Sequence, residues 1–166
     1  MSNDRLNQIE KNLKRLREQL AGKEDTLTTI APEERVRIKQ QISDLKTEVQ
    51  PFEEEYWQIL KEQAAIAEVT DSEAQVVIAE IVERVEYLQN ESQYSPEILD
   101  LLQEIYAEVS KPETSAAAKL KGALSLMPPF VSLSYEAEID IESFLRTHFP
   151  TFRGWAKALA KKRLAP

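Results

Sequence analysis

Side chains able to do chemistry are few in this chain and poorly spaced for it. His148 is the only imidazole among 166 residues and lies in an aromatic run that ends at Pro150. Cysteine is absent, which removes thiolate nucleophiles, disulfides and most structural zinc sites together. A metal would have to be held by carboxylates alone. The 29 acidic residues follow solvent-facing helical periods instead, and no Glu-x-x-His pair occurs. Ser132 and Ser134 lie near Tyr135, but no histidine or lysine is patterned to activate them. With three glycines in all, there is no glycine-rich loop to hold phosphate. The chain reads as non-enzymatic, with no catalytic residue, cofactor site or metal ligand.

What the sequence does carry is helix. Apolar residues make up 42% of the chain and charged residues 30%, enough for a core beneath a highly charged surface. Leu6, Ile9, Leu13, Leu16 and Leu20 recur at spacings of three and four. Ile38, Ile42, Leu45, Val49, Phe52, Tyr56 and Ile59 do the same after a turn at 28–32. Two such seams want to face each other, which predicts a long antiparallel helical hairpin (a coiled coil) over 1–65. Lys23 falls where the heptad expects an apolar residue, so the seam weakens towards the tip. Pro32 suits a first helical turn, followed by Glu33 and Glu34 at the positive end of the helix dipole. Pro51 predicts a kink in the second arm, which continues to about residue 61.

A small helical domain is expected over 66–166. Thr70 with Glu73 fits a capping box, followed by the stripe Ala74, Val77, Ile78, Ile81, Val82, Val85 and Leu88, with Glu73, Glu80, Glu83 and Glu86 on the other side. After a turn at 90–92, Ser95 and Pro96 open a second helix that Pro112 stops. A third, over about 113–126, is rich in alanine, and Pro128 and Pro129 end it. From 130 to 141 the pattern changes. Val131, Leu133, Tyr135, Ala137, Ile139 and Ile141 alternate with polar residues, which predicts a single β-strand near 130–140. A lone strand leaves backbone groups unpaired, so it pairs with a second copy, pairs with a partner, or is extended without belonging to a sheet. Thr151 is read as the cap of a last, basic amphipathic helix with Phe152, Trp155, Ala156 and Leu159 on one side and Arg153, Lys157, Lys161, Lys162 and Arg163 on another.

Charge is uneven along the chain. Residues 1–65 hold 11 basic and 13 acidic side chains (net −2), 66–112 hold 2 and 11 (net −9), and 113–166 hold 8 and 5 (net +3). An acidic middle and a basic tail can neutralise each other within one molecule or between two. The acidic balance speaks against nucleic acid. The start of the chain reads as a charged amphipathic helix rather than a signal peptide, and no run of eighteen apolar residues occurs, so a cytoplasmic protein is expected.

The candidate interaction residues are Tyr56 and Trp57 as an aromatic anchor, Val131, Leu133, Tyr135 and Ile139 as the strand, and Phe152, Trp155, Lys157 and Lys161 on the last helix. The last group also fits a membrane surface, the alternative to a protein partner.

Residues 17–24 (REQLAGKE), 35–42 (RVRIKQQI) and 51–60 (PFEEEYWQIL) resemble a helical-hairpin module found at the front of many cyanobacterial multidomain proteins. Residues 118–140 and 149–152 look like a segment that accompanies such modules. In that family the neighbouring domains are caspase-like proteases, signalling NTPases and other effectors of bacterial immunity or cell-death systems. The resemblance implies an effector-associated adaptor that recruits by homotypic contact; a homodimer with an effector or signalling protein as partner is expected. No site residue is carried over from it.

Overall fold

The computed structural model describes residues 2–91 and 93–161, and Ser92, Lys162 and Arg163 of the sequence reading lie outside them. The described residues form α1 (Ser2–Thr29), α2 (Pro32–Ile66), α3 (Asp71–Leu88), α4 (Pro96–Val109), α5 (Ala116–Ser125), α6 (Met127–Glu136), α7 (Ile141–His148) and α8 (Pro150–Lys161). The chain is mostly α, as its composition predicts. It divides into two units, Met1–Tyr56 and Trp57–Pro166, and the division falls inside α2 rather than at residue 65. Pro51 lies within α2 without interrupting it.

In Met1–Tyr56 the buried positions repeat the seam. Leu6, Ile9, Leu13 and Leu16 are buried on α1, and Ile38, Ile42 and Val49 on α2. Leu20, Lys23, Leu27 and Leu45 are half-buried, so burial thins where the apolar spacing does. Only Ile30 and Ala31 separate the two helices. The connection is fixed by its own backbone. Arg35 Nη2 donates to the Leu27 carbonyl at 3.0 Å, and Thr26 and Thr28 hydroxyls bond back to Gly22 and Asp25. Away from it, Arg5 donates to both oxygens of Glu55 at 2.6 Å, and Arg17 pairs with the buried Glu53. Arg5 holds the Glu55 carboxyl below its usual range.

In Trp57–Pro166, α3 packs against α4, α5 and α8, while α6 contacts α4, α5 and α7. Val85, Leu88, Ile98, Leu102, Leu120 and Phe130 are almost fully enclosed in its core. Caps set the starts of the helices. Thr70 accepts the Glu73 N–H, Ser95 the Ile98 N–H and Ser115 the Ala118 N–H, each a donor that a first turn leaves unpaired.

The strand expected near 130–140 is a helix and its C-terminal cap. Pro128 and Pro129 have no N–H to carry α5 past Ser125, and they also open α6, where first-turn N–H groups have no intrahelical acceptor and a missing N–H costs nothing. The buried residues of α6 are Met127, Phe130, Val131 and Ser134, spaced three, one and three apart. That is one helical face, and the apparent period of two was a coincidence of serine placement. Ser134 is buried because its hydroxyl donates to the Val131 carbonyl at 2.7 Å. Beyond Glu136 the chain makes a Schellman turn. Ile139 N–H reaches back to Ser134 O at 2.8 Å, Glu138 N–H reaches Tyr135 O at 3.2 Å, and Glu138 itself is left-handed at φ 58°. A lone β-edge is therefore not available for pairing.

Glu138 shares its backbone region with Glu113 (φ 59°), in the connection before α5. All three glycines lie instead within helices, Gly22 in α1, Gly122 in α5 and Gly154 in α8.

Candidate interaction surface

The acidic side of α3 is two surfaces. Glu73 and Glu80 turn inward to α8. Glu80 accepts the Thr151 N–H at 2.9–3.0 Å and the Phe152 N–H at 3.1 Å, so the α8 first turn is capped by a carboxylate from α3. Thr151, read from the sequence as that cap, is a donor to it. The helix dipole of α8 favours a negative charge at this end. Glu73 accepts the indole N–H of Trp155 at 3.2 Å and the Thr70 hydroxyl at 3.0 Å. Asp71 performs the same service for α5, accepting the Ala117 N–H at 3.2 Å.

Glu83 and Glu86 remain exposed, and Glu86 accepts the hydroxyl of Tyr106 on α4 at 3.0 Å. On the same outward side of α3, Val76 is 63% and Tyr87 50% exposed. The α4 residues Glu97, Asp100 and Glu104 are exposed as well. This is an acidic surface with two large apolar side chains left in it.

Exposed cations stand on α7 and α8. Lys157 and Lys161 on α8 and Arg146 on α7 are exposed. Arg153 is not part of that set, because it turns to Glu142 on α7, Nε to Oε1 at 2.7 Å. The apolar side of α8, which a lipid surface would need, is already used. Phe152, Ala156 and Leu159 are buried, and Trp57 stacks on Phe152 with ring centroids 6.0 Å apart.

Of the residues singled out from the sequence, Trp57, Phe152 and Trp155 are therefore brought together, as packing. Tyr56 is half-buried in the other unit. Val131 is fully buried, while Leu133, Tyr135 and Ile139 are half-buried around the end of α6 and its turn, where they form no edge. Lys157 and Lys161 stay at the surface. No helix among the described residues is long and apolar enough to cross a membrane. A small apolar cavity of about 20 Å³ lies between Ile81, Leu102, Phe130 and Phe144.

A polar cluster escaped the sequence reading. Arg84 Nη2 lies 2.9 Å from His148 Nδ1, and Tyr94 Oη 3.1 Å from His148 Nε2. The Arg84 guanidinium also covers the Tyr87 ring at 4.6 Å, and the Tyr94 ring meets Phe144 edge-on. Burial, and then the Arg84 charge, push His148 below its usual 6.5, against a smaller opposing influence from Glu91. Burial raises the Tyr94 hydroxyl in turn. Tyr94 and Arg84 are 54 and 64 residues from His148 in sequence, and Arg84 is the one arginine in a stretch that holds eleven acids.

No family model, curated protein or solved structure matches this chain.

Proposed function

We propose that the chain is a non-enzymatic adaptor that works by protein–protein contact, in the cytoplasm, beside an effector of a bacterial immunity or cell-death system. The family resemblance of residues 17–24, 35–42 and 51–60 supports the setting. In this reading α1 and the first part of α2 form an antiparallel hairpin, an arrangement supported by the two-residue connection and by the reach of Arg5 to Glu55. Its seam is already buried within one chain, so a partner must use another face.

The observation that carries the reading is the separation of exposed charge on the second unit. Glu83, Glu86, Glu97, Asp100 and Glu104 lie exposed on α3 and α4, with Val76 and Tyr87 among them. Arg146, Lys157 and Lys161 lie exposed on α7 and α8. The acids of α3 that do face α8 are spent on the backbone of residues 151 and 152 and on Trp155, not on those lysines. Opposite charges left unneutralised on one molecule are complementary between two copies. The occupant of the acidic face is thus the basic α8 face of a second copy, the contact is homotypic, and the dimer is the working form.

Light scattering across ionic strength tests it. The expected result is a dimer at low salt that dissociates as salt screens the contact. Lys157→Glu with Lys161→Glu should give a monomer, as should Glu83→Lys with Glu86→Lys. Mixing the two variants should restore a dimer. A monomer at every concentration in low salt, or a dimer indifferent to both variants, would overturn the reading.

A further inference from the structure

We propose that His148 is the pin of an acid-opened latch that ties α3 and the α3–α4 connection to the end of α7. The geometry fixes its protonation. A guanidinium can only donate, so Nδ1, 2.9 Å from Arg84 Nη2, is an acceptor. The ring is then neutral with its proton on Nε2, which donates to the Tyr94 hydroxyl at 3.1 Å. Both nitrogens are used, and each holds a different part of the chain.

Adding a proton reverses one of these bonds. The proton comes from solvent to Nδ1, which becomes an N–H facing an N–H, and a cation facing a cation. The Arg84 contact is then repulsive and no second rotamer of the ring satisfies both partners. The surroundings offer little to soften this. From α3 the ring meets Arg84, whose other neighbour is the Tyr87 ring. From the connection it meets Tyr94, with Glu91 the one anionic influence. From α7 itself it meets Phe144, which packs in turn on Phe130 of α6 and on Phe149, all uncharged. Glu80, the other nearby carboxylate of α3, is committed to the backbone of Thr151 and Phe152.

Opening would expose what the latch covers. Tyr94 lies edge-on to Phe144 with centroids 5.6 Å apart, and His148 lies 5.0 Å from the same ring. Release of both uncovers one side of a core aromatic, so acid would create an apolar surface where neutral pH shows a polar one. The linkage has a definite sign. The folded state takes up the proton less readily than the unfolded chain, whose histidine titrates near 6.5. The stabilisation is therefore present above 6.5 and is lost as pH falls from there through the folded-state value.

Because the chain has one histidine, its imidazole signal in a ¹H–¹³C spectrum is unambiguous. Titrating the full chain should show His148 ionising below 6.5, with the Tyr94 ring and the amide hydrogen exchange of residues 141–149 changing at the same midpoint. Arg84→Gln keeps a donor and removes the charge, so the midpoint should move up and the exchange change should move with it. His148→Gln should abolish the transition while leaving the neutral-pH spectrum of α7 intact. An ionisation at or above 6.5, a midpoint indifferent to Arg84→Gln, or a titration with no change at Tyr94 and α7 would overturn the latch.

Discussion

In Met1–Tyr56 the apolar residues recur by the turn of the helix, and the polar contacts between α1 and α2 over long sequence separations are surface or part-buried ion pairs, Arg5 with Glu55 and Arg17 with Glu53. In Trp57–Pro166 two helix starts and one indole are tied from far away in sequence. Asp71 caps α5 across 46 residues, Glu80 caps α8 across 71, and Glu73 holds Trp155 across 82. The first unit is specified by a periodic stripe that any similar stripe would satisfy. The second is specified by individual carboxylates that aim at particular N–H groups. Short helices explain the need. At 8–12 residues, α5 to α8 cannot hold themselves together, and they depend on packing and on ends that are satisfied.

The comparison breaks if cores rather than caps prove interchangeable. Phe130→Ala should be the most damaging single change, at about 3–5 kcal/mol by chemical denaturation, because the ring is fully enclosed between α6 and α7. Glu80→Ala comes next, at about 1–2 kcal/mol, since it leaves two N–H groups of the α8 first turn without their acceptor. Glu83→Ala, one turn along the same helix and exposed, is its control and should be near neutral. Equal effects at 80 and 83 would mean that α8 is placed by its apolar side alone. Trp155→Phe keeps most of the ring and loses the bond to Glu73, which should cost about 0.5–1.5 kcal/mol.

The smallest effect belongs to the first unit. Arg5→Ala removes a well-formed ion pair whose partners are 44% and 38% exposed, so its change in melting temperature should be smaller than that of Glu80→Ala and should shrink with salt. Glu55 is held below the usual carboxylate range, so whatever the pair contributes is present above pH 4.5 and disappears as pH falls through the lower folded value. An Arg5→Ala effect as large as the Glu80→Ala effect would erase the distinction between the units.

What could be read in advance follows the same divide. The helices of both units, the caps Thr70, Ser95 and the proline after it are local signals, and local signals are visible in a linear string. The residues 130–140 failed because alternation and a helical face share many positions over so short a span. Val131 fits either pattern, and Met127 and Ser134 decide for the helix only once both are seen to be buried. The Schellman turn was hidden because its left-handed position is a glutamate, where the usual signal is glycine. The roles of Glu80 and His148 depend on contacts across 71 and 64 residues, and no periodicity announces those. Glu80 read as one more solvated acid in a row of four.

The placement of the glycines bears on how this chain tolerates change. Left-handed backbone at residues 113 and 138 is occupied by glutamates, while Gly22 and Gly154 stand inside helices with nothing within 4 Å of where a Cβ would sit. Each of the four positions carries a residue type that its backbone disfavours, at about 1 kcal/mol apiece relative to the exchange. Alanine at Gly22 and glycine at residues 113 and 138 would add stability without touching the core or either charged face, whereas Gly154 lies on the α8 face of Lys157 and Lys161. The protein therefore keeps a mutational reserve outside its working surfaces, from which costly changes at those surfaces can be absorbed.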